Sequence, residues 1–529
     1  MKIKYLMLPT ALAVVLGGCG DLLTETPRDF ITADMYYSTE ADIEGAAAAM
    51  YPIYQEWDMF KVQHWWTFEL AADHGNYHPD EPNAETQAPQ YLNWSPATRE
   101  PRSLWMMHYS AIRLNNTVIE FAPNVTFRDE ARQRSLIAEA KFNRAFNYFW
   151  LGRGFGGVPL VLSTTDPVDL PRNTEAEVFE QIIADLEEAI PHLPPTRNQA
   201  TERGRATSYA AMALLADAYR WRANTNLADP TADWQKVIEL SEQIINNGPF
   251  ELLPNYLSAL LPQANARGEE IFAVQSTPGV GWNVSLFGAM FGARNFGDSE
   301  GGGWAVSSAA VPFWRSWDRD DYRFEVTYMT EDCPASAKSA EPGVEGGWIC
   351  EPGTVEHLTP EDWEGRLPDE PMGFPHVRKY RETDFRRNFW GGGDVNIPIY
   401  RLADIVLIYA EALNAVGRDG EALTQVNRIR ARARQGTGNE NRAVPADLHG
   451  LSGVALKDAI YRERELEFAY EMKRWFDLVQ RGPEFFVQQL TNNDPTSNRF
   501  GLVTPERMRL PIPAAELVKN RNLEQNPGY

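Results

Sequence analysis

The sequence predicts a mainly α-helical fold with one long irregular, loop-rich excursion, and three observations lead to this prediction. In most of the chain, apolar residues recur every three or four positions, which is the period of an amphipathic helix. Between residues 268 and 393 that period disappears, and glycine, proline and tryptophan become frequent. After the excursion, a helix, a tight turn and a second helix follow in close succession, so the helical scaffold resumes.

The helical period defines each element in order. Helices are predicted over residues 39–57, 104–121, 130–153, 174–190, 207–223, 234–246, 402–416, 420–434 and 456–480. Thr39 is the predicted capping residue of the first helix, with Asp42 in its first turn. Residues 61–103 are aromatic, polar and rich in proline, so we expect loops there.

The two helices that follow the excursion resemble a tetratricopeptide repeat. Small and apolar residues fall where such repeats place them, at Tyr409, Ala410, Leu413, Gly417, Ala422 and Val426. Residues 206–246 fit the same layout more loosely. Helix pairs of this kind bury their faces only by stacking on neighbouring pairs. We therefore expect a single domain over residues 39–529, into which residues 268–393 are inserted as a loop-rich segment.

The predicted helix over residues 456–480 carries charged residues on its apolar stripe. Glu463, Glu467 and Arg474 share this face at helical spacing. A buried charge requires a partner of opposite charge. We expect ion pairs with arginines such as Arg401 or Arg430, and therefore a structural role rather than a ligand site.

The N-terminus resembles a bacterial lipoprotein signal. Two lysines precede an apolar stretch over residues 5–18, which as a helix would be about 21 Å long, shorter than the ~30 Å core of a membrane. The stretch ends in Leu16-Gly17-Gly18-Cys19, which resembles a lipobox. We expect residues 1–18 to be the signal peptide, Cys19 to carry the lipid and residues 19–38 to include the tether. An ordinary secreted protein is the alternative.

Charge and cysteine content exclude several classes of protein. The formal net charge is −23, which argues against general nucleic-acid binding and against adsorption to anionic lipid. Three cysteines are too few for a disulfide scaffold or a four-thiolate zinc site. If Cys19 is acylated, Cys333 and Cys350 remain, and in an exported protein they are candidates for a disulfide. Two unpaired thiols are the alternative.

The opening of the mature chain and five later blocks resemble the SusD/RagB family of outer-membrane nutrient-binding lipoproteins. The opening is residues 19–27 with 39–42. The later blocks are 139–145 with 155–160, 205–207 with 213–216, 401–404 with 409–412, 463–468 with 474–478, and 526–529. The resemblance implies tetratricopeptide-like helix pairs and a lipid anchor in the outer membrane, with the protein facing the cell exterior. It also implies binding of a polysaccharide, oligosaccharide or peptide, a SusC-like TonB-dependent transporter as partner, and no enzymatic activity.

Candidate ligand-binding residues lie in two regions that are rich in loops. Sugars present C–H faces to aromatic rings and hydroxyl groups to polar side chains, so both residue types are required. The first region contributes Asp73, Asn76, Tyr77, Asn93 and Trp94, and the excursion contributes Trp282, Asn283 and Trp304. The resemblance supports both regions, because ligand contacts in the family come from comparable loops. Asp73 best matches a family position.

No cofactor or metal is predicted. His74 and His78 have the spacing of zinc ligands on a helix, but Gly75 and Pro79 disfavour a helix there. Two other functions stay open. A secreted glycoside hydrolase would need two carboxylates on opposite sides of a cleft. A tetratricopeptide scaffold that assembles proteins would need no small ligand.

Overall fold

The computed structural model describes residues 32–77, 84–260, 268–276, 285–291, 306–328, 377, 379–380, 395–438, 440–493 and 500–529. Several predicted residues lie outside these ranges, namely Cys19, Trp282, Asn283, Trp304, Cys333 and Cys350. The predicted lipid anchor, disulfide and excursion contacts to ligand therefore stay predictions.

Helices make up most of the described chain. In chain order the α-helices are α1 (Ala33–Tyr36), α2 (Glu40–Ala49), α3 (Gln63–Glu69), α4 (Ala84–Gln90), α5 (Arg99–Phe121), α6 (Glu130–Phe155), α7 (Glu175–Ala189), α8 (Ser208–Asn224), α9 (Pro230–Asn247), α10 (Phe287–Phe291), α11 (Val311–Arg315), α12 (Tyr322–Thr327), α13 (Leu402–Ala415), α14 (Asp419–Ala433), α15 (Gly453–Glu467), α16 (Arg474–Gln480), α17 (Pro483–Asn493) and α18 (Ala514–Lys519). A π-helix spans Trp57–Lys61. In the described part of the chain, no helix combines the length and apolar composition of a membrane span.

Among the residues that the structure describes, four short strands form two small antiparallel sheets. Strand β1 (Gly75–Tyr77) pairs with β3 (Ser307–Ala309), and β2 (Glu270–Val274) pairs with β4 (Ile397–Arg401). Each sheet joins a strand of the excursion or its edge to a strand outside it. The sheets therefore tie the excursion to the rest of the fold at two places.

The long helices stack as consecutive pairs, which confirms the predicted tetratricopeptide-like architecture. α5 packs on α6, α6 on α7, α7 on α8 and α8 on α9. α9 then packs on α13, and α13 packs on α14. The excursion therefore interrupts the sequence between α9 and α13 without interrupting the stack.

The predicted start of the first long helix is confirmed by its cap. Thr39 Oγ1 accepts a hydrogen bond from the Asp42 N–H group at 3.3 Å, and the Asp42 carboxylate accepts one from the Thr39 N–H group at 2.8 Å. This reciprocal arrangement satisfies two backbone donors that a helix leaves unpaired at its N-terminus. The helix ends earlier than predicted, at Ala49, where Pro52 opens a 3₁₀ turn.

The prediction of loops over residues 61–103 is wrong in part. This segment contains α3, β1, α4 and the first residues of α5. All seven residues of α3 are buried. A helix that is buried on every side shows no alternation of polar and apolar faces, so the periodicity that reveals a helix in sequence is missing here.

The prediction of one continuous helix over residues 456–480 is also wrong. α15 ends at Glu467 and α16 begins at Arg474. Between them, Tyr470 (φ 64°) and Met472 (φ 58°) adopt left-handed backbone conformations. No glycine or proline marks the break in the sequence, so the signal that usually ends a helix is absent. Tertiary contacts to this segment, described below, hold it in place.

The excursion contributes to the core where it is described. Phe287 and Phe291 are 0% and 1% exposed. The ring of Phe291 lies edge-on to Trp65, with centroids 4.6 Å apart. These rings therefore fill space against α3.

A hydrogen-bonded histidine pair is buried beneath the π-helix. His64 Nε2 and His108 Nε2 are 2.9 Å apart, and His108 Nδ1 is 2.9 Å from Asn147 Oδ1. Burial, with a smaller contribution from Arg153, lowers the pKa of His108 to about 4. Burial and the neighbouring His108 lower the pKa of His64 well below its usual value. Both imidazoles are therefore neutral in the folded protein at pH 7.

We expect this pair to make the folded state sensitive to acid. In the unfolded chain the His108 imidazole becomes protonated below about pH 6.5, whereas in the folded protein it stays neutral until about pH 4. The stabilisation of wild type relative to His108→Gln should therefore shrink by about 3 kcal/mol between pH 7 and pH 4. Denaturant unfolding of both proteins at several pH values measures it. A difference that does not change with pH contradicts the assignment.

Candidate ligand-binding site

The two regions predicted to bind ligand meet at one small sheet. In the pairing of β1 with β3, Asn76 lies opposite Ser308 and Tyr77 lies opposite Ser307. β1 belongs to the first candidate region and β3 to the excursion. The sheet therefore brings together residues that are more than 200 positions apart in sequence.

Asp73, just before β1, is part of a buried ion pair. Arg474 Nε and Nη2 each lie 2.7 Å from one of its carboxylate oxygens, and the Asp73 side chain is 1% exposed. Arg474 also contacts Glu465 at 3.1 Å. This fork-like contact fixes the start of β1 to α16. In this structure the Asp73 carboxylate faces Arg474, so we leave it out of the binding surface.

His74 links the same sheet to its surroundings. Its ring stacks on Phe313 at 4.1 Å, with Nδ1 3.4 Å from Glu69 Oε1 and Nε2 3.9 Å from Glu465 Oε1. Its backbone oxygen accepts hydrogen bonds from the Ala310 N–H group and the Tyr470 hydroxyl.

Asp73, His74 and Glu465 converge, and their side-chain types are those that hold divalent ions. The guanidinium of Arg474 already binds both carboxylates, at 2.7 and 3.1 Å. The positive charge that this cluster requires is therefore supplied by the chain itself, and we assign no metal to it.

Tyr470, in the break between α15 and α16, is a buried contact point for this region. Its ring is edge-on to Phe291 at 5.3 Å and to Tyr328 at 6.2 Å, and its hydroxyl is 3.1 Å from the Tyr328 hydroxyl. Its carbonyl accepts a hydrogen bond from Tyr380 at 2.8 Å. These contacts explain how a tyrosine is held in a left-handed conformation, which costs on the order of 1–3 kcal/mol.

Three rings form a continuous series from the sheet to the surface, which we call the ring ladder: Tyr77, Tyr91 and Phe500. Tyr91 lies edge-on to Tyr77 at 5.9 Å and to Phe500 at 5.3 Å. Tyr77 and Tyr91 are 9% and 3% exposed, whereas Phe500 is 53% exposed. Asn93, two residues beyond Tyr91, is exposed as well. The ladder therefore ends in one exposed aromatic ring that packs on two buried ones, and an exposed amide follows Tyr91 closely in sequence.

Hydrogen bonds between α4 and β1 support the ladder from within. The Tyr77 N–H group donates to Gln90 Oε1 at 2.6 Å, and Gln90 Nε2 donates to Asn76 Oδ1. Asn76 is 8% exposed. Asn76 and Tyr77 therefore hold the support in place, and the exposed contacts come from Phe500 and Asn93.

Trp94 belongs to the core. It is 2% exposed and lies edge-on to Trp475, with ring centroids 5.7 Å apart. In this structure its ring is covered by protein, so we also leave it out of the binding surface.

A buried ion-pair network anchors the excursion to the rest of the fold. It includes the ion pairs that were predicted from the sequence. Arg430 Nη1 lies 2.7 Å from Glu463, and Arg401 contacts Glu467. Arg401 also contacts Glu471 at 2.9 Å and Glu269 at 3.0 Å. The carboxylates of Glu463 and Glu467 are 1% and 0% exposed, so their expected burial is confirmed.

Two cations from the excursion join this network. Arg323 contacts Glu463 at 2.6 Å, and Lys379 Nζ contacts Glu471 at 2.6 Å and the Ala469 carbonyl at 2.8 Å. Burial would raise the pKa of Glu467, but the arginines around it lower that pKa to about 2. Glu467 is therefore charged at neutral pH, and these ion pairs hold the excursion against α15 and against the break that follows it.

The sequence prediction missed three residues of this region: Gln90, Tyr91 and Phe500. Tyr91 was detectable, since it is an aromatic residue two positions before Asn93 in a segment already selected for such residues. Phe500 was not, because its contact with Tyr91 joins positions more than 400 residues apart, and no local pattern encodes that contact.

Comparison with known proteins shows which protein family the chain resembles. Residues 307–529 match the profile described as the SusD family, and residues 30–219 match the related profile described as "Starch-binding associating with outer membrane". The chain belongs to the SusD family. SusD-like protein P2 of Formosa agariphila is 28% identical over 99% of this chain and 100% of its own length. The starch-binding protein SusD of Bacteroides thetaiotaomicron is 23% identical over 83% of this chain and 80% of its own length.

Solved structures of SusD proteins share the fold. A SusD homologue from Bacteroides thetaiotaomicron superposes with a TM-score of 0.77 and 22% identity, covering 94% of this chain and 98% of the homologue. A laminarin-binding SusD-like protein superposes with a TM-score of 0.70 and 22% identity, covering 93% of this chain and all of the other. The mainly helical architecture is therefore that of the SusD family.

Proposed function

We propose that this protein is a cell-surface lipoprotein that binds a glycan and delivers it to a SusC-like TonB-dependent outer-membrane transporter. The observation that carries the proposal is the ring ladder, which ends in the exposed ring of Phe500 and whose middle ring, Tyr91, is followed two residues later by the exposed Asn93. An oligopeptide is the alternative ligand.

The geometry of the ladder suits a sugar. Phe500 offers an apolar face on which the C–H groups of a pyranose can stack, and Asn93 offers both a donor and an acceptor to sugar hydroxyls. The Tyr91 ring packs edge-on against Phe500 and limits its motion. The Phe500 side chain therefore loses little conformational freedom when a ligand binds. A preformed platform of this kind binds a ligand without rearranging the core.

The comparisons support a glycan as the ligand. One structural neighbour is titled as laminarin-binding, and one relative is named for starch binding. Both ligands are neutral glucans, and the ring ladder has the apolar face and amide that such sugars require.

The sequence and the family support the location. The matching family description associates its members with the outer membrane. The lipobox that ends at Cys19 supplies a lipid anchor, and the chain from Cys19 to the start of α1 provides the tether. The lipid would hold the binding surface at the membrane in which the transporter lies.

Binding without hydrolysis fits the carboxylates near the site. Glycoside hydrolysis needs two carboxyl groups that reach the sugar from opposite sides. Among the described residues around the small sheet, Glu69, Asp73 and Glu465 are at most 7% exposed, and Arg474 binds two of them. This arrangement favours a protein that retains its ligand intact.

Replacing Phe500 with alanine should weaken glycan binding about five- to ten-fold, because it removes the open face of the ladder. The measurement is calorimetric titration of the detergent-solubilised full-length lipoprotein with starch and laminarin oligosaccharides. Val454→Ala is the matched control, since it shortens another apolar side chain that is 75% exposed. Equal affinity for the Phe500→Ala variant and wild type would remove the ladder from the proposal.

A further inference from the structure

One tryptophan in the described part of the chain is much more exposed to solvent than the others. Trp57 is 37% exposed, whereas each of the other ten described tryptophans is at most 9% exposed. Leaving part of an indole in water forgoes hydrophobic stabilisation of about 25 cal/mol for every Å² that stays exposed. An exposed tryptophan on a rigid support is therefore a feature to explain.

The backbone around Trp57 holds the ring outward. Trp57 begins a π-helix, an uncommon element that is frequent at functional sites. Within this element Met59 has φ −125° and ψ −138°, outside the helical region, while its side chain and that of Phe60 are fully buried. The Trp57 ring lies edge-on to Trp66, with centroids 6.2 Å apart. The Trp57 ring is thus held in place by its contact with the buried Trp66 and by the buried side chains that follow it in the π-helix.

The residue that follows Trp57, Asp58, pairs with an arginine, so polar groups of both signs lie close to Trp57 along the chain. Asp58 Oδ1 accepts hydrogen bonds from Arg99 Nη2 at 3.1 Å and from the Ser103 hydroxyl at 3.0 Å. The side chains of Arg99 and Asp58 are 44% and 39% exposed, so solvent reaches both. A carboxylate accepts from sugar hydroxyls and a guanidinium donates to them, and together the two groups carry no net charge.

The patch is connected to the ring ladder through packed elements. The π-helix packs on α3 and on α5, and α3 also packs on α4, which precedes Tyr91. Arg99 opens α5, six residues after the exposed Asn93. Trp57 and the ladder therefore belong to the same packed group of elements.

We propose that Trp57, Asp58 and Arg99 form a second contact for the bound glycan, an outlying subsite that takes a neutral sugar unit. The proposal rests on the proposed function, since it assigns a further part of the same ligand. The indole stacks on the sugar ring, and the Asp58–Arg99 pair binds its hydroxyls. Because the pair is neutral overall, the subsite selects neutral sugars over uronates or sulfated sugars. A protein partner, for which exposed Trp and Arg are also suited, is the competing occupant.

The test is the dependence of affinity on ligand length. Starch and laminarin oligosaccharides of two to eight sugar units are titrated into the detergent-solubilised full-length lipoprotein. For wild type, affinity should rise with length as the chain reaches the second contact. Trp57→Ala should lower the affinity for the longest chains about ten-fold and leave the shortest unchanged. Trp57→Tyr, which keeps an aromatic ring, should restore most of the loss.

Two further variants complete the design. Asp58→Asn removes the carboxylate charge but keeps the ring, and it should also weaken only the long chains. Val454→Ala, which shortens an exposed apolar side chain elsewhere, should bind every length as wild type does. Thermal unfolding of each variant confirms that the fold is retained.

The outcomes separate the two proposals. If wild type binds oligosaccharides but Trp57→Ala binds every length equally well, the subsite is wrong and the proposed function stands. The same conclusion follows if Trp57→Ala keeps its glycan affinity and loses only the copurification of a membrane partner, which would assign the ring to a protein contact. If wild type binds no oligosaccharide or polysaccharide of any length, both proposals fail.

Discussion

Arg401→Met should lower the free energy of unfolding by about 3–5 kcal/mol, one of the two largest effects that we expect from a single substitution. Arg401 is 2% exposed and contacts Glu269, Glu467 and Glu471. Methionine is apolar and similar in length, so packing is largely kept while the central positive charge is lost. The three buried carboxylates then repel one another with fewer cations between them. Chemical denaturation monitored by tryptophan fluorescence measures the change.

The control for this prediction is an arginine in an exposed pair. Arg418 contacts Glu421 at 2.6 Å, and the two side chains are 39% and 56% exposed. Arg418→Met should cost less than about 1 kcal/mol, because water screens an exposed ion pair. If the two variants were equally stable, the buried network would not hold the excursion in the way that we describe.

The second large effect is expected from Asp73→Ala. The substitution leaves the buried guanidinium of Arg474 without its fork-like partner, which costs about 3–5 kcal/mol. Asp73 lies immediately before His74 and β1, so the start of the small sheet should loosen as well. We expect lower global stability and faster backbone amide exchange at Gly75–Tyr77, measured by hydrogen exchange.

Two comparisons decide between a structural role and a ligand contact for Asp73. Asp458→Ala removes a carboxylate that also pairs with an arginine but is 55% exposed, and it should have little effect. Asp73→Asn keeps the shape of the side chain without its charge. If Asp73→Asn were as stable as wild type and yet lost glycan affinity, Asp73 would be a ligand contact rather than an anchor of β1.

The sequence predicted the helical scaffold well because its signals are local. The cap at Thr39 and the apolar stripes of the long helices each depend on residues within a few positions of one another. The ion pairs of Glu463 and Glu467 were also predictable, because a charge on an apolar stripe implies a partner, even though the partner lies far away in sequence. In each case a physical requirement was visible within one helix.

The candidate site could be predicted only in outline. The sequence selected β1 and its neighbours for their aromatic and polar residues, but it did not show which side chains would be covered. Trp94 is buried by Trp475, and Asp73 is neutralised by Arg474, both from α16. The exposed ring of the ladder, Phe500, comes from near the C-terminus. Exposure depends on which distant segments pack together, and residue type and spacing do not record that.

The break at Tyr470 was not predicted from the sequence for the same reason. Its left-handed backbone has no glycine to announce it, and its conformation is held by Tyr328, Tyr380 and the carbonyl of His74. Local propensity favoured a continuous helix, and tertiary contacts overrode it.

The most direct test of the account is to bind neutral glucans of defined length to the full-length lipoprotein and then recover and size them. Starch and laminarin oligosaccharides provide the panel, with affinity measured by titration and chain length by mass spectrometry. We predict saturable binding of at least one glucan, which is recovered at its original length. Recovery of shortened chains, or no binding of any glucan in the panel, would contradict the claim that this SusD protein captures a glycan without cleaving it.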